Sequence, residues 1–300
     1  MFIHKKRKKR ESWYYIYVCM FLLMGSIFVG FSGCAGGEDA GEGTPFAGEG
    51  EMAGIKITFF DVGKGDAILI ETAEHKMMID AGYEDTAGML LDFFEEQGIT
   101  ELDYLVLTHF DKDHVGGADH ILEAVETGEV FQPDYPSDSK QYVEYQEVME
   151  TKGKKPVLVT ETMELSMDGA NVLIYPPQQE EYKEEDNDFS LVVSMGYGEK
   201  SFLFAGDCEK ERLQELLEQE EFDLPHDVLK VPHHGRKEKN SEEFFTAVSP
   251  DAAVITCSED RPADEEVVEM LEEIGADIYF STEGTLACFC DGVNLWIDRQ

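Results

Sequence analysis

One segment, residues 108–117, places two histidines and two aspartates directly after an apolar run that predicts a buried strand over residues 103–108. The four side chains are His109, Asp111, Asp113 and His114. Neighbouring carboxylates repel each other, and each imidazole needs a hydrogen-bond or metal partner, so this cluster is costly without a cation. The spacing at the end of a strand therefore favours a metal site over an acidic turn with incidental histidines.

Strand and helix patterns alternate from residue 55 onward. Short apolar runs predict strands over residues 55–62, 67–71, 77–80, 103–108, 172–175, 191–195, 202–204, 228–231, 252–256, 277–280 and 285–290. Helices are predicted over residues 86–97, with Thr86 as N-cap and Gly98 as the stop, and at about 209–220, 241–248 and 264–274. Residues 127–169 have no clear pattern. Two strand-rich halves with helices between them fit an α+β fold in which helices cover a sandwich of two sheets.

The N-terminal segment predicts export and membrane anchoring. Six basic residues at positions 5–10 precede an apolar run over residues 13–31, and the sequence FSGC at residues 31–34 resembles the lipobox of bacterial lipoproteins. This resemblance implies a signal peptide over residues 1–33 and lipidation of Cys34, whereas the alternative is an uncleaved membrane span. Residues 34–54 then form a lipidated cysteine and a flexible Gly/Glu linker. Both alternatives place a domain over residues 55–300 outside the cytoplasm.

The charge balance excludes one class of function. The sequence has 24 Lys+Arg against 64 Asp+Glu, which gives a net charge of −40, and the part after residue 33 stands at −45 because residues 1–33 carry +5. Tight binding of long duplex DNA needs cationic side chains that release phosphate counterions. We therefore expect no tight duplex binding, and the sequence predicts no protein partner.

The segment at residues 108–117 resembles the His-x-[His/Asp]-x-Asp-His metal motif of the metallo-β-lactamase superfamily. Further matches follow in family order at residues 60–67 (FDVGKGDA, with Lys64 where Gln is usual), 78–82, 187–191, 205–207 and 230–235. Asp111, in the third position of the motif, resembles the branch that contains the soluble domain of the DNA-uptake protein ComEC and its free-standing relatives. The resemblance implies an αββα four-layer sandwich over residues 55–300, here in a surface lipoprotein.

Carried over residue by residue, the resemblance implies two divalent metal ions, Zn²⁺ or Mn²⁺. The implied ligands are His109 and Asp111 for the first ion, Asp113, His114 and His234 for the second, and Asp207 as a bridge between both. The implied catalytic residues are Asp113, His114 and Asp207. The residues implied to support these ligands or to meet the substrate are Asp61, Asp66, Asp80, Asn187, His233, Lys230 and Arg236. Asn187 stands where most members have another histidine, which makes the first site richer in oxygen ligands and favours Mn²⁺ as a competitor of Zn²⁺.

Two metal ions in such a site would activate water for attack on a carbonyl or phosphoryl centre. The ComEC resemblance implies a phosphodiesterase that acts outside the cytoplasm on short nucleic acid or another phosphodiester. However, family members carry a histidine in a His-Pro stretch that corresponds to residues 258–264, and this sequence has no histidine after His234. Two alternatives therefore stay open: a hydrolase of wall or lipid head-group esters, and a catalytically weakened protein that holds metal and ligand without turnover.

Overall fold

The computed structural model describes residues 54–183 and 185–300, so the predicted signal peptide, Cys34 and all but the last residue of the predicted linker lie outside the described residues. The strands are β1 (Ile55–Phe59), β2 (Ala67–Glu71), β3 (Lys76–Ala81), β4 (Glu101–Val106), β5 (Glu126–Pro133), β6 (Val157–Val159), β7 (Met163–Met167), β8 (Ala170–Tyr175), β9 (Val192–Tyr197), β10 (Lys200–Phe204), β11 (Val228–Lys230), β12 (Ala252–Ile255), β13 (Asp277–Phe280), β14 (Leu286–Cys290) and β15 (Leu295–Arg299). The α-helices are α1 (Ala87–Gln97), α2 (Ala118–Ala124), α3 (Lys140–Thr151), α4 (Glu185–Asp188), α5 (Lys210–Glu218), α6 (Ser241–Val248) and α7 (Glu265–Ile274).

The strands form two sheets that pack face to face. The first has the order β15-β14-β1-β2-β3-β4-β5-β6 and the second the order β13-β12-β11-β10-β9-β8-β7. Strand β3 shows why both faces are apolar: Met77 and Ile79 point into the core between the sheets, and Met78 points to the opposite face. Successive side chains of a strand alternate between faces, so a strand covered on both sides needs a continuous apolar run.

Helices cover the outer face of each sheet. Leu90 of α1 and Ile121 of α2 belong to the apolar cluster on the first sheet, and Leu213 of α5 and Phe244 of α6 belong to the cluster on the second. The layers are therefore helix, sheet, sheet and helix, which confirms the predicted αββα sandwich. In residues 54–183 and 185–300, no helix is long and apolar enough to span a membrane.

Regular structure also occurs over residues 127–169, where the sequence shows no clear pattern. This region contains most of β5, together with α3, β6 and β7. Tyr145 and Met149 bury one face of α3, while the other side chains of that helix are partly or fully exposed. The fully buried face of the helix is therefore narrow, which makes its sequence pattern weak.

Parallel strands bring several loops to one edge of the sandwich. Strand β3 pairs in parallel with β4, and β10, β11 and β12 are parallel neighbours in the second sheet. The carboxyl ends of parallel neighbours lie at the same edge of their sheet. The residues that could bind metal or take part in catalysis therefore lie at the same edge, at the end of β3 and in the loops that follow β4, β10, β11 and β12.

Candidate metal centre

The loop after β4 buries its two histidines. His109 and His114 are both fully buried, and their ring centroids lie 4.1 Å apart. Asp113 is also buried, whereas the side chain of Asp111 is 42% exposed and its Oδ2 lies 4.0 Å from His109 Nε2. The motif thus contributes three side chains to the interior of the site and one to its edge.

Asp207 follows β10 and meets both histidine-bearing loops. Its Oδ2 lies 3.0 Å from His234 Nε2, and its Oδ1 lies 3.2 Å from His114 Nε2. The preceding Gly206 has φ +52°, and a Cβ there would lie 3.0 Å from the Ser190 side chain. A residue without a side chain is needed to turn the backbone so close to Ser190 and aim Asp207 inward.

His234 reaches the centre from the short helical turn after β11, Pro232–Gly235. His233 and His234 both have left-handed backbone conformations, with φ 48° and 53°. For non-glycine residues this conformation costs about 1–3 kcal/mol and persists where surrounding contacts hold it. His234 is buried with its Nε2 3.9 Å from Asp113 Oδ2, whereas the His233 side chain is 17% exposed and its Nδ1 lies 3.2 Å from Glu209 Oε1. Of the two, His234 is the one whose ring joins the cluster.

One buried atom in this cluster fits a metal ion in particular. Within the described part of the chain, His109 Nε2 has no hydrogen-bond partner, which is costly for a buried polar atom. His109, His114 and Asp207 can each offer a ligand atom within 4.8 Å of the others, and so can Asp113, His114 and His234. Imidazole and carboxylate donors suit Zn²⁺ and Mn²⁺ alike. The residues present therefore fit divalent metal, and the assignment of His114 to the second ion stays a prediction.

Asp80 holds the loop after β4 in position through hydrogen bonds. It has φ 56° at the end of β3, and its carboxylate accepts hydrogen bonds from Thr108 N and Thr108 Oγ1, both at 2.7 Å. The same carboxylate lies 2.8 Å from His114 Nδ1. A carboxylate on the far nitrogen fixes the orientation of a ligand histidine and leaves Nε2 directed at the centre.

Asp66 and Lys230 form a second layer of support. The Lys230 side chain is fully buried, its ammonium pairs with Asp66, and it donates a 3.0 Å hydrogen bond to Gly206 O. Thr256 Oγ1 donates to Asp66 Oδ1 at 2.6 Å and lies 3.1 Å from His234 Nδ1. Because its ammonium is buried, Lys230 supports the ligand loops and does not face a substrate.

The electrostatics of the cluster match a site built for cations. Burial would lower the pKa of His114, but the charges of Asp207 and Asp80 outweigh it and raise that pKa well above its usual value. Burial would raise the pKa of Asp113, but His114 and Lys64 outweigh it and lower that pKa to about 2. Asp113 is thus ionised at neutral pH, and a proton on His114 balances part of the negative charge of the cluster. Metal binding would replace that proton.

Asp111 belongs to a different electrostatic environment. Burial, together with the charges of Asp113 and Asp186, raises its pKa to about 6. Asp111 is also outside all four compact groups of possible ligands found among the described residues. Its role as ligand of the first ion stays a prediction.

The remaining predicted residues lie around the cluster. Asp61 is exposed and accepts a hydrogen bond from Gly63 N at 3.3 Å. Asn187 Nδ2 donates to Glu209 Oε1 at 2.7 Å, and Arg236 forms a 3.0 Å ion pair with Asp264. These contacts place Asp61, Asn187 and Arg236 outside the buried ligand groups.

Sequence reasoning did not assign several residues that touch the site. Lys64 Nζ lies 3.0 Å from Asp113 Oδ2, and Tyr83 OH lies 3.4 Å from the same oxygen. Ser190 and Thr256 supply hydroxyl groups to the loops of Asp207 and His234. Two of them had a visible signal: Lys64 replaces the usual glutamine of its motif, and Ser190 lies in the motif match at residues 187–191.

Comparison with known proteins fits this geometry. A family model described as "Metallo-beta-lactamase superfamily" matches residues 60–258. The chain belongs to the metallo-β-lactamase superfamily. This membership confirms the family resemblance, and the fold and the buried cluster agree with a metal-dependent hydrolase fold.

Relatives of this superfamily member include competence-related proteins of the ComEC type. The chain is 27% identical to ComE operon protein 3 of Bacillus subtilis and 29% identical to Recombination protein 2 of Haemophilus influenzae, with 69% of the chain matched in each case. It is 26% identical to Competence protein ComA of Neisseria gonorrhoeae over 66% of the chain. The matches span only 29%, 25% and 26% of these relatives, respectively.

Solved structures share the superfamily fold. The metallo-β-lactamase fold protein YhfI from Bacillus subtilis superposes with a TM-score of 0.54 and 10% identity, over 82% of this chain and 100% of the other. The metal-dependent hydrolase Tm1679 superposes with a TM-score of 0.50 and 15% identity, over 77% and 98%. At these identities the likeness shows the fold alone.

Proposed function

We propose that this domain is a two-metal phosphodiesterase that acts outside the cytoplasm on short nucleic acids or nucleotides. The observation that carries the proposal is the buried group of His109, His114, Asp113, Asp207 and His234, in which His109 Nε2 has no hydrogen-bond partner among the described residues. The donor set suits both Mn²⁺ and Zn²⁺, and metal analysis of the purified protein would identify the bound ion.

The edge of the cluster indicates where a substrate would enter. Ligand atoms are buried, while the side chains of Asp111, His233 and Lys64 are 42%, 17% and 15% exposed. Lys64 places a cation next to Asp113 at this edge. A cation beside the reacting centre favours an anionic substrate over a neutral ester, and this supports the phosphodiester.

The chain's own residues would orient the reactants. Bound divalent ions would supply activation of water and stabilisation of charge on phosphoryl oxygens. Asp113, with a pKa of about 2, is an ionised acceptor that would orient the attacking water through a hydrogen bond. Burial lowers the pKa of His233 to about 4, so its ring is neutral at pH 7 and would donate an N–H hydrogen bond to a phosphoryl oxygen.

The relatives and the N-terminal sequence support the substrate and the location. Two of the relatives are named as competence or recombination proteins, which favours nucleic acid over a wall or lipid head group. The basic and apolar residues before Cys34 support anchoring by a lipid or by an uncleaved span. Membrane fractionation of the parent chain and of Cys34→Ala tests this part. If the parent is anchored by a lipid on Cys34, the substituted chain should either leave the membrane fraction or stay in it with its leader uncleaved.

A direct assay tests the reaction. The purified full chain, loaded with Mn²⁺ or Zn²⁺, is assayed on bis(p-nitrophenyl) phosphate beside Asp113→Ala and His114→Ala. We expect each variant to lose at least about a hundredfold in kcat/KM, because both side chains belong to the metal cluster. Asp251→Ala and His120→Ala are matched controls, since both side chains are well exposed.

Two results would refute the proposal. Activity that survives both cluster substitutions would place the reaction elsewhere, and absence of turnover with either metal would favour a protein that binds without catalysis. Glycerophosphodiesters and short oligonucleotides, offered in parallel, then decide between a lipid or wall ester and nucleic acid.

A further inference from the structure

A separate group of possible metal ligands lies beside the buried cluster. His233, Glu209 and Glu238 can each offer one ligand atom, and these atoms lie within 4.8 Å of one another. We call these three residues the outer group, because all three side chains are partly exposed. The outer group shares no residue with the other groups of possible ligands in residues 54–183 and 185–300. It is therefore a place where a further ion could bind without displacing any of the buried ligands.

The His233 imidazole and the Glu209 carboxylate stand at the separation expected for two ligands of one ion. His233 Nδ1 lies 3.2 Å from Glu209 Oε1. Zinc lies about 2.1 Å from imidazole nitrogen and from carboxylate oxygen, so two such ligands at an angle of about 90–110° are about 3.0–3.4 Å apart. The Nδ1 atom is buried, yet no hydrogen bond of good geometry joins it to an oxygen of the described chain. The contact therefore fits two donor atoms that converge on a cation.

Hydrogen bonds hold Glu209 at this position. Its backbone N donates to Asp188 Oδ1 at 2.9 Å directly before α5. Its Oε1 accepts a 2.7 Å hydrogen bond from Asn187 Nδ2. Carboxylates that bind metal are usually hydrogen-bonded in turn, because such bonds restrict the orientation of the ligand. Asn187 thus supports Glu209, the carboxylate next to His233.

The loop that carries Glu238 is tied to the start of α5. Asn240 Nδ2 donates to Lys210 O at 2.9 Å. Glu238 N donates to Ser241 Oγ at 2.8 Å, where α6 begins. The loop after β11 therefore packs against the residue that follows Glu209, and this brings the carboxylates of Glu209 and Glu238 to the same imidazole.

The basic residues just before Glu238 pair with acids at the start of α7. Arg236 forms a 3.0 Å ion pair with Asp264, and Lys237 Nζ lies 3.6 Å from Glu266 Oε1. Two carboxylates within reach of one imidazole repel each other, and a divalent ion between them would offset that repulsion. The charges of the outer group thus favour a cation, as its distances do.

We propose that His233, Glu209 and Glu238 bind a further divalent transition-metal ion outside the two-metal centre. An imidazole beside two carboxylates favours Zn²⁺ over Ca²⁺ and Mg²⁺, which prefer oxygen ligands alone. Because all three side chains are partly exposed, water can complete the coordination. The site rests on the geometry of these residues and does not require the proposed phosphodiesterase activity.

An ion at this position would fix the tautomer of the His233 ring. With Nδ1 on the ion, the ring proton is on Nε2, which lies 4.0 Å from Asp207 Oδ2 of the buried cluster. An ion pair of His233 with Glu209 instead needs a proton on Nδ1. Nitrogen NMR of the ring in the zinc-loaded full chain distinguishes the two arrangements. We expect a proton on Nε2 alone, and a proton on Nδ1 would overturn the inference.

Competitive titration of the purified full chain against a zinc-binding dye gives the number and affinity of bound Zn²⁺ ions. We expect one ion to bind at least about tenfold more weakly in Glu238→Gln and in Glu209→Gln than in the parent. Loss of a residue that merely orients a ligand already costs about 10–100-fold in affinity. Glu242→Gln is the matched control, since it removes an exposed carboxylate at the start of α6 and should change neither number nor affinity.

Substitution of the buried cluster separates the outer ion from the other ions. Asp113→Ala combined with His114→Ala should weaken the buried sites and leave the outer ion bound, and adding Glu238→Gln should then release it. About a tenfold excess of Mg²⁺ should not displace this ion, because Mg²⁺ prefers oxygen ligands. Equal number and affinity of ions in the parent, Glu238→Gln and Glu209→Gln would refute the site. Ion counts do not depend on turnover, so a parent that cleaves no phosphodiester would refute the proposed reaction alone.

Discussion

Replacing Lys230 by methionine tests whether its ammonium compensates the negative charge of the buried aspartates at the candidate metal centre. The ammonium is fully buried, pairs with Asp66, donates to Gly206 O at 3.0 Å and lies 3.6 Å from Asp207 Oδ1. Burial alone would lower its pKa, but Asp66 and Asp207 outweigh burial and raise the pKa above the usual value. Lys230 is therefore charged at neutral pH, and methionine removes that charge while filling nearly the same volume.

The expected loss in free energy of unfolding comes from the carboxylates that lose their positive partner. Without the ammonium, Asp66 keeps only Thr256 as a side-chain hydrogen-bond donor, and Asp207 loses a nearby positive charge. Removal of one partner from a buried ion pair costs about 3–5 kcal/mol, because the other charge stays buried without compensation. Lys200→Met is the matched control: Lys200 lies 2.7 Å from Asp227, but both side chains are more than 20% exposed. Such a pair contributes about 1 kcal/mol or less.

Urea unfolding of chelator-treated protein, followed by circular dichroism, gives the free energy of unfolding of parent and variants. We expect Lys230→Met to lose at least about 2 kcal/mol more than Lys200→Met. Adding Mn²⁺ or Zn²⁺ should reduce the difference, since bound cations restore positive charge next to Asp207 and stabilise the folded state. Equal losses in the two variants would show that Lys230 does not compensate the buried aspartates.

Other parts of the structure give three more predictions. Gly65→Ala should destabilise the domain by about 1–3 kcal/mol and weaken metal binding, because its Cβ would meet Asp113 O at 2.6 Å; calorimetry and metal titration measure both effects, and normal affinity would contradict the crowding. The hydrogen bond that the His75 ring donates to Asp168 raises the pKa of His75 above 6.5, so this pair stabilises the fold below pH 6.5 and loses that effect as the pH rises through the raised pKa. Asp168→Asn should flatten this dependence in urea unfolding at about pH 5.5 and 8.5, and an unchanged slope would exclude the pair as its source. Metal affinity should weaken as the pH falls below the raised pKa of His114, since the ion must displace a proton; titration calorimetry at several pH values would show a constant affinity if His114 were not a ligand.

Much of the fold follows from local sequence patterns. The predicted boundaries agree with α6 (Ser241–Val248) and β13 (Asp277–Phe280), and Gly98 ends α1 in a left-handed conformation as expected for a C-cap. The missed strand β15 (Leu295–Arg299) is half-exposed at the edge of its sheet. Edge strands lack the apolar run of a strand with two covered faces, so their sequence resembles that of a loop.

The grouping of His109, Asp113 and His114 was predictable because these residues follow a recognisable strand, whereas Asp207 and His234 were implied by the family resemblance. The contacts that support the cluster were not predictable, since they join distant parts of the chain: Thr256 bonds to Asp66 across 190 positions, and Lys64 meets Asp113 across 49. No spacing in the sequence predicts which distant residue a hydroxyl or ammonium group will contact. The contacts arise from the packing of two sheets, which no local pattern of the sequence encodes.

The large negative charge and a phosphate substrate are compatible because they act over different distances. Exposed charges further away than about 8–10 Å are largely screened at physiological salt, while charges inside the cluster are screened much less. In the proposed reaction a phosphate would meet the bound ions and Lys64 at short range, and those ions would neutralise the charges of Asp113 and Asp207. At longer range each further phosphate of a long strand meets a domain whose part after residue 33 carries −45. The net negative charge is therefore expected to weaken the binding of long strands. It does not oppose the binding and cleavage of a short phosphodiester.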